Sequence, residues 1–328
     1  SRYEGTHIGK TDMFPSLRRH LAAKGLLHKA PLFFQNSSQW QRRLRKHCFE
    51  ATRMCRHLAG YDFLGPIDTH WHTFGYDVGM MNEFYELKPG ETVRNVRMYN
   101  SSTVLLTDLG TNFVFTAGTE LVFGIYTSHF GGCDLQNAQL HVRLTMAGKL
   151  LESRHITVDS ITNGDIPKLH DFRAMMPQLA EPAALNLYVT LESGDTYAEN
   201  EWELYLFPQT REDPGSLLVF EDASAETVTD ALRSGKDVLL FGKTPFVSLP
   251  TSFQMSLAGR TNGNLATVIA DHPALAGMPH EGFCGWQFRH LLEGGSAVCF
   301  EDQTIPFDPI IEVASSHKYA IRQGILFE

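Results

Sequence analysis

The chain has 328 residues, enough for two or three domains. Its 43% hydrophobic and 20% charged residues are those of an ordinary globular protein, and no apolar run approaches the roughly 20 residues of a membrane span. With 28 Lys and Arg against 37 Asp and Glu the net charge is -9 at pH 7, which argues against nucleic acid as a partner.

No secretory signal is visible after Ser1. Spacing predicts a helix over 14–30, with Phe14, Leu17 and Leu21 on one stripe and Pro15 in its first turn. Asn36-Ser37-Ser38 is a capping cluster, and a second helix is expected from there to Leu58. Its stripe is Trp40, Leu44, Cys48, Ala51, Cys55 and Leu58. The basic run Arg42-Arg43-Leu44-Arg45-Lys46-His47 lies in this helix and is read as a solvated face. The five cysteines, Cys48, Cys55, Cys133, Cys284 and Cys299, include no CxxC pair, so neither a disulfide framework nor structural zinc is expected. Cys48 and Cys55 are read as small apolar packing groups.

Gly60 ends the helix. Tyr61, Phe63, Leu64 and Ile67 then suit a buried strand bounded by Gly60 and Pro66. Asp68, His70, Trp71 and His72 crowd its carboxyl end, where α/β sheets bind ligands. Asn82, Glu83 and Tyr85 are placed on the same cleft, and Glu91 to Asn100 reads as a short helix.

From Ser101 the period changes to two. Residues 103–106, 112–115, 120–126, 139–144, 184–191 and 202–206 read as strands separated by Gly-containing turns, the pattern of an immunoglobulin-like β-sandwich over 101–208. From 209 to 328 the apolar runs 217–220, 237–242, 266–269, 297–300 and 309–313 alternate with short helices, one capped by Ser224. That alternation predicts an open α/β domain of the flavodoxin or amidotransferase kind. Gly242-Lys243-Thr244 lacks the rest of a phosphate loop, and His280-Glu281 stands in the wrong arrangement to activate Cys284.

Three blocks carry a resemblance. They are Glu50-Ala51 through Gly60 to Asp68; Phe113 to Gly118 with Ser128 to Leu135; and His272-Pro273-Ala274-Leu275 with Trp286-Gln287-Phe288, Pro309 to Val313 and the ending Gly324 to Glu328. Together they resemble the C-terminal half of family 2-type glycoside hydrolases, the β-galactosidase and β-glucuronidase superfamily, in its large multidomain bacterial branch. The resemblance implies a multidomain α/β plus all-β fold: residues 1–100 as the C-terminal part of a (β/α)8 TIM barrel, then the sandwich, then the open α/β domain. It implies a hydrolase of β-linked glycosides in carbohydrate metabolism, without a cofactor. The acid/base glutamate would precede this chain. The nucleophile region corresponds to Tyr3–Pro15, where Gly9 and Pro15 keep the family spacing but His7 occupies the glutamate position and Glu4 lies three residues earlier. Glu4 and His7 are thus the catalytic candidates. Asp68, His70, Trp71, His72 and Glu83 are the substrate-binding ones, with Trp71 stacking on a sugar.

Two alternatives stay open. One is a non-catalytic carbohydrate-binding or scaffolding protein. The other is a metal site from His7, Asp68, His70 and His72. The expected partners are a carbohydrate substrate and either the N-terminal part of the same enzyme or a second copy of the chain, with no nucleic acid and no membrane.

Overall fold

A computed structural model describes residues 13–68, 79–209, 215–241, 243–251, 266–301, 307–314 and 321–328. Its first elements are α1 (Met13–Ala23) and the 25-residue α2 (Ala30–Met54), which starts with Pro31 in its first turn. Asn36-Ser37-Ser38 does not cap a helix. It lies inside α2, where buried Asn36 donates through Nδ2 to the carbonyls of Thr267 at 2.8 Å and Gly282 at 3.1 Å. The polar cluster is a seam between α2 and a distant strand.

The barrel expectation is overturned. Among the described residues no run of parallel strands alternates with helices in 13–100. The segment 61–67 is not a strand: its ladder is a single bridge, Ile67 to Met81. Its aromatic residues pack on α2 instead, Tyr61 and Phe63 standing edge-on to Phe49 at 5.1 and 5.0 Å, while Leu64 is 89% exposed. A lone extended segment has no ladder partner for its N–H and C=O groups, so apolar content alone does not make it a strand. Helix α3 (Val93–Tyr99) follows, capped by Thr92, whose side chain accepts from Asn95 N.

Residues 103–207 form a β-sandwich. One sheet has the order β1-β3-β6, from β1 (Thr103–Thr107), β3 (Glu120–His129) and β6 (Lys168–Met175). The other has the order β2-β8-β7-β4-β5, from β2 (Val114–Thr116), β4 (Leu135–Met146), β5 (Lys149–Ile161), β7 (Ala183–Ser193) and β8 (Thr196–Phe207). Every pairing is antiparallel except β2 with β8. Strict alternation in β4 and β7 sends Leu140, Val142, Leu144, Leu187 and Val189 inward, all fully buried. They meet Leu105, Ile125 and Phe172 of the other sheet. Each such side chain contributes roughly 1.5–3 kcal/mol by leaving water.

The open α/β expectation is overturned as well. Parallel pairing between strands is confined, among the described residues, to β9 (Leu218–Glu221) with β10 (Val238–Phe241), joined by α4 (Ala225–Arg233), besides β2 with β8; the Ile67–Met81 contact is a single parallel bridge. The main sheet is antiparallel, in the order β11-β13-β15-β14-β12. Its strands are β11 (Ser248–Pro250), β12 (Ala266–Ile269), β13 (Ser296–Cys299), β14 (Pro309–Ala314) and β15 (Arg322–Phe327), with the one-turn α5 (Arg289–Leu292) before β13. A parallel crossover needs a dozen or more residues, and only 315–321 separate β14 from β15. Strand β14 is apolar apart from Glu312 because it lies inside the sheet between β15 and β12, with Ile310, Ile311 and Val313 all buried.

The sandwich and this sheet share one apolar core. It passes from Phe113 through Trp40 and Trp286 to Phe283, Ile269 and Ile311. Trp286 stacks on Phe113 and meets Trp40 edge-on, at 5.0 and 5.1 Å. Helix α2 is the strut across which both β units are packed.

Candidate functional site

Positions 42, 43, 46, 47 and 50 fall on one face of α2 by helical spacing. On the sandwich, Asn186 and Tyr188 are two residues apart on one face of β7 and stand opposite Glu203 and Glu201 of β8. Strand β2 covers β8 only at Tyr205–Phe207. Along the rest of β8, α2 and α3 take the open edge: Glu50 reaches Asn200 and Trp202, and Arg94 of α3 binds Glu199 and Glu201. Glu281 and Trp286 come in from the C-terminal part. The α2 face, Asn186, Tyr188, Glu201, Trp202, Glu203, Glu281 and Trp286 line a half-open cavity of about 230 Å³. That is smaller than a drug-sized site and on the scale of a small polar ligand.

The charges are densely paired. Glu50 Oε1 accepts from Lys46 Nζ at 2.6 Å and Asn200 Nδ2 at 2.7 Å, and its Oε2 accepts from Trp202 Nε1 at 3.1 Å. Arg43 binds Glu281 at 2.5 Å and lies 3.4 Å from Glu203, which accepts from Tyr205 Oη at 2.6 Å. The ammonium of Lys46 sits 4.6 Å above the Trp202 ring. Burial pushes the Lys46 ammonium below its ordinary value and keeps His47, packed edge-on to Trp286 at 5.0 Å, toward its neutral form. Burial and then Glu203 push the Tyr205 phenol up, so it stays a donor.

This arrangement corrects the reading of the basic run as solvated. Arg45 is buried against Glu91, and Arg43 and Lys46 are committed to carboxylates. A signal was present in the sequence: Glu199, Glu201 and Glu203 at period two supply the acids that a basic helix face needs. Cys48 and Cys55, by contrast, are exposed rather than packed, and all five cysteines are free thiols. Cys284 is buried with its thiol pushed up to about 12 by desolvation, which removes thiolate chemistry at neutral pH.

Of the sequence-derived site residues, Glu4, His7, His70, Trp71 and His72 lie outside the described residues. Asp68 is buried, and its Oδ1 accepts from Lys88 Nζ and from Gly79 N, both at 2.8 Å. A Cβ on Gly79 would lie 2.6 Å from Asp68 N, so the loop closes only on glycine. Glu83 is half-buried in a turn built by Asn82, whose Oδ1 accepts from the N–H of Phe84 and of Glu86 at 3.0 Å. Asp68 and Glu83 are therefore near one another in sequence and fold but away from the α2 cavity, which neither lines. Among the described residues no three His, Cys, Asp or Glu side chains gather for a metal, and no helix is long and apolar enough to cross a membrane.

Two parts of the chain match family models. Residues 119–208 match a domain of unknown function, DUF8488, and residues 219–328 match a second, DUF8487. The first falls within the sandwich and the second spans α4 and the antiparallel sheet. No curated protein matches the chain. Among solved structures, the CARDB domain of a Pyrococcus furiosus protein is 12% identical, with 32% of this chain and 94% of that one covered at a TM-score of 0.25. A Parabacteroides merdae β-glucuronidase is 18% identical, with 32% of this chain and 13% of that one covered at 0.23. A family 123 glycoside hydrolase from Clostridium perfringens is 11% identical, with 37% and 27% covered at 0.24. The two hydrolases are thus weak neighbours over a small share of their length, and likenesses at these scores assign no activity.

Proposed function

We propose that this chain recognises a carbohydrate as part of a glycoside-acting protein, and that the α2 cavity holds one sugar ring. One observation carries the reading: a small, half-open cavity whose wall combines carboxylate, guanidinium, amide and aromatic groups. Sugars present apolar ring faces edged by hydroxyls that both donate and accept. Asn95, Asn186 and Glu201 offer partners to the hydroxyls, and Tyr188 offers a ring face. The resemblance of the three sequence blocks to glycoside hydrolases supports the same class. Within the proposal, Glu4 and His7 are the positions to substitute for a role in chemistry. Asp68, His70, Trp71, His72 and Glu83 are the positions to substitute for a role in sugar binding. The remainder of a longer enzyme or a second copy of the chain completes the active unit.

The test is calorimetric titration with methyl hexosides and the corresponding hexuronides, alongside Tyr188→Ala and Asn186→Ala. Saturable binding that weakens about tenfold in each variant, with unchanged thermal midpoint, supports the reading. No saturable binding of any glycan to the wild-type chain overturns it. A scaffold reading is favoured by a different observation, the closed pairing of Lys46, Glu50, Asn200 and Trp202, which joins α2 to β8 without any ligand.

A further inference from the structure

On the outer face of the sandwich, away from the core, His141 of β4 and His155 of β5 stand directly opposite each other in the ladder. Their rings stack, with 4.1 Å between centroids and 15° between planes. Directly opposed side chains are the closest pair a sheet offers, so a single ion is within reach of both. A neighbouring amide sets which nitrogen of His155 is available. Gln139 Nε2 donates to the carbonyl of Asn137 at 3.0 Å, which fixes the orientation of the amide. Its Oε1 can only accept, and it takes the hydroxyl of Thr157 at 3.2 Å and Nε2–H of His155 at 3.0 Å. Neutral His155 therefore carries its proton on Nε2 and a bare lone pair on Nδ1.

An imidazole with one nitrogen bare and the other donating to a fixed oxygen is arranged as a metal ligand is, the outer acceptor holding tautomer and ring. The His141 ring has no hydrogen bond among the described residues, so it is free to turn. Turning it brings one of its nitrogens to about 3.3 Å from His155 Nδ1, the span of one tetrahedral ion with metal–nitrogen bonds of about 2 Å. The flanking charges permit a cation. Glu192 of β7 faces Gln139 on the same side of the sheet, and the Arg143 guanidinium is drawn away over the Tyr188 ring, 5.8 Å from its centroid. We propose that His141 and His155 form a binding site for a divalent late transition metal, Zn²⁺ or Cu²⁺, with water in the remaining positions. Imidazole suits these ions, whereas Mg²⁺ and Ca²⁺ take oxygen ligands. The ion clips the edge strand β5 to β4. This inference stands apart from the carbohydrate reading and uses none of its residues.

The experiment titrates the chelator-treated chain with Zn²⁺ alone and with Cu²⁺ alone by calorimetry. The wild-type chain should bind one equivalent that His141→Gln and His155→Gln each weaken tenfold or more, with thermal midpoints in metal-free buffer unchanged. His57→Gln, at an exposed histidine outside the strands, should leave that equivalent as it is. Gln139→Leu, which removes the outer acceptor, should weaken it about 10- to 100-fold. In long-range proton–nitrogen spectra Zn²⁺ should move Nδ1 of His155 while Nε2 keeps its proton. No saturable binding of either ion by the wild-type chain overturns the inference. Binding that both histidine variants leave within twofold also overturns it and marks an adventitious ion only. A folded Gln139→Leu chain with wild-type affinity overturns it as well, because the ring would then not be held for a metal.

Discussion

Glu50 is an acceptor shared by three donors on two elements, and its removal tests the α2 junction. In Glu50→Ala the Trp202 indole N–H, in a residue only 5% exposed, loses its partner. Asn200, 1% exposed, loses one of the two acceptors of its amide and keeps the carbonyl of Leu105 at 2.7 Å. Each buried donor left unmet costs about 1–3 kcal/mol. Lys46 is left as a cation without its carboxylate, but its side chain is 17% exposed and its head can lift toward water, so its share is discounted. The expected loss is about 4 kcal/mol for Glu50→Ala. It is about 2 kcal/mol for Glu50→Gln, which keeps one oxygen but turns an amide N–H against a donor. At about 2 °C per kcal/mol for a chain of this size, the midpoints fall by about 8 and about 4 °C. Urea unfolding followed by tryptophan emission and far-ultraviolet circular dichroism measures both. Adding Lys46→Met to Glu50→Ala should recover part of the loss, because no buried charge is then stranded. A Glu50→Ala chain within about 0.5 kcal/mol of wild type refutes the reasoning, since it would mean the three donors find water or other acceptors without cost.

Asn36→Ala should cost about 1–3 kcal/mol by removing the amide donor shared by the carbonyls of Thr267 and Gly282, of which Gly282 keeps the Ile269 N–H at 3.0 Å, and hydrogen exchange should speed up in β12 while β4 and β7 stay protected; equal protection in β12 would deny the seam. His47 is held below its ordinary value of 6.5 by burial. Below that pH the unfolded chain takes up a proton that the folded chain refuses. Its contribution to stability is therefore whole above 6.5 and is lost as pH falls from 6.5 toward the folded value. Urea midpoints between about pH 5 and about pH 8 should show this slope, and His47→Gln should flatten it. Leu140→Ala, at a fully buried position of the sandwich, should cost about 2–5 kcal/mol by urea unfolding, and a loss below about 1 kcal/mol would mean the core closes over the gap.

What the sequence shows plainly is what local physics decides. Ser224 caps α4 with its side chain accepting from Thr227 N, as the Ser-to-Thr spacing predicts, and Thr92 does the same for α3. The alternation of Leu140, Val142 and Leu144 marks an inward sheet face without ambiguity. Strands β5 and β6 were harder to see, because β5 is an edge with polar residues on both faces and few fully buried side chains. The cavity was hidden for another reason. Its basic wall lies on α2 and its acidic wall on β8, more than a hundred and fifty positions later for the Glu50–Trp202 contact. Either wall alone reads as solvated surface, and only the pairing makes it a site. The mouth candidates Asp68, His70, Trp71 and His72 rest on density of chemistry and Glu4 and His7 on the family resemblance; of these, Asp68 is within the described residues and is tied to Lys88 in a buried ion pair.

The two fold corrections have one cause. An apolar run of four to eight residues is compatible with a buried strand, a packed loop or a central antiparallel strand, and periodicity does not separate them. Partners and connection lengths do. Tyr61–Ile67 has no ladder neighbour among the described residues beyond one bridge, so its rings fold back onto Phe49 of α2. Strands β14 and β15 have a connection too short for a crossover, so they pair antiparallel whatever their composition suggests. Both solutions push work onto α2. It must cover the aromatic segment, seat Asn36 against β12 and close the open edge of β8, all with one helix. A helix with three packed faces cannot keep its cations in water. It sets them against carboxylates supplied by other elements, Arg43 on Glu203 and Glu281, Arg45 on Glu91, and Arg42 in the field of Glu91, Glu201 and Glu281.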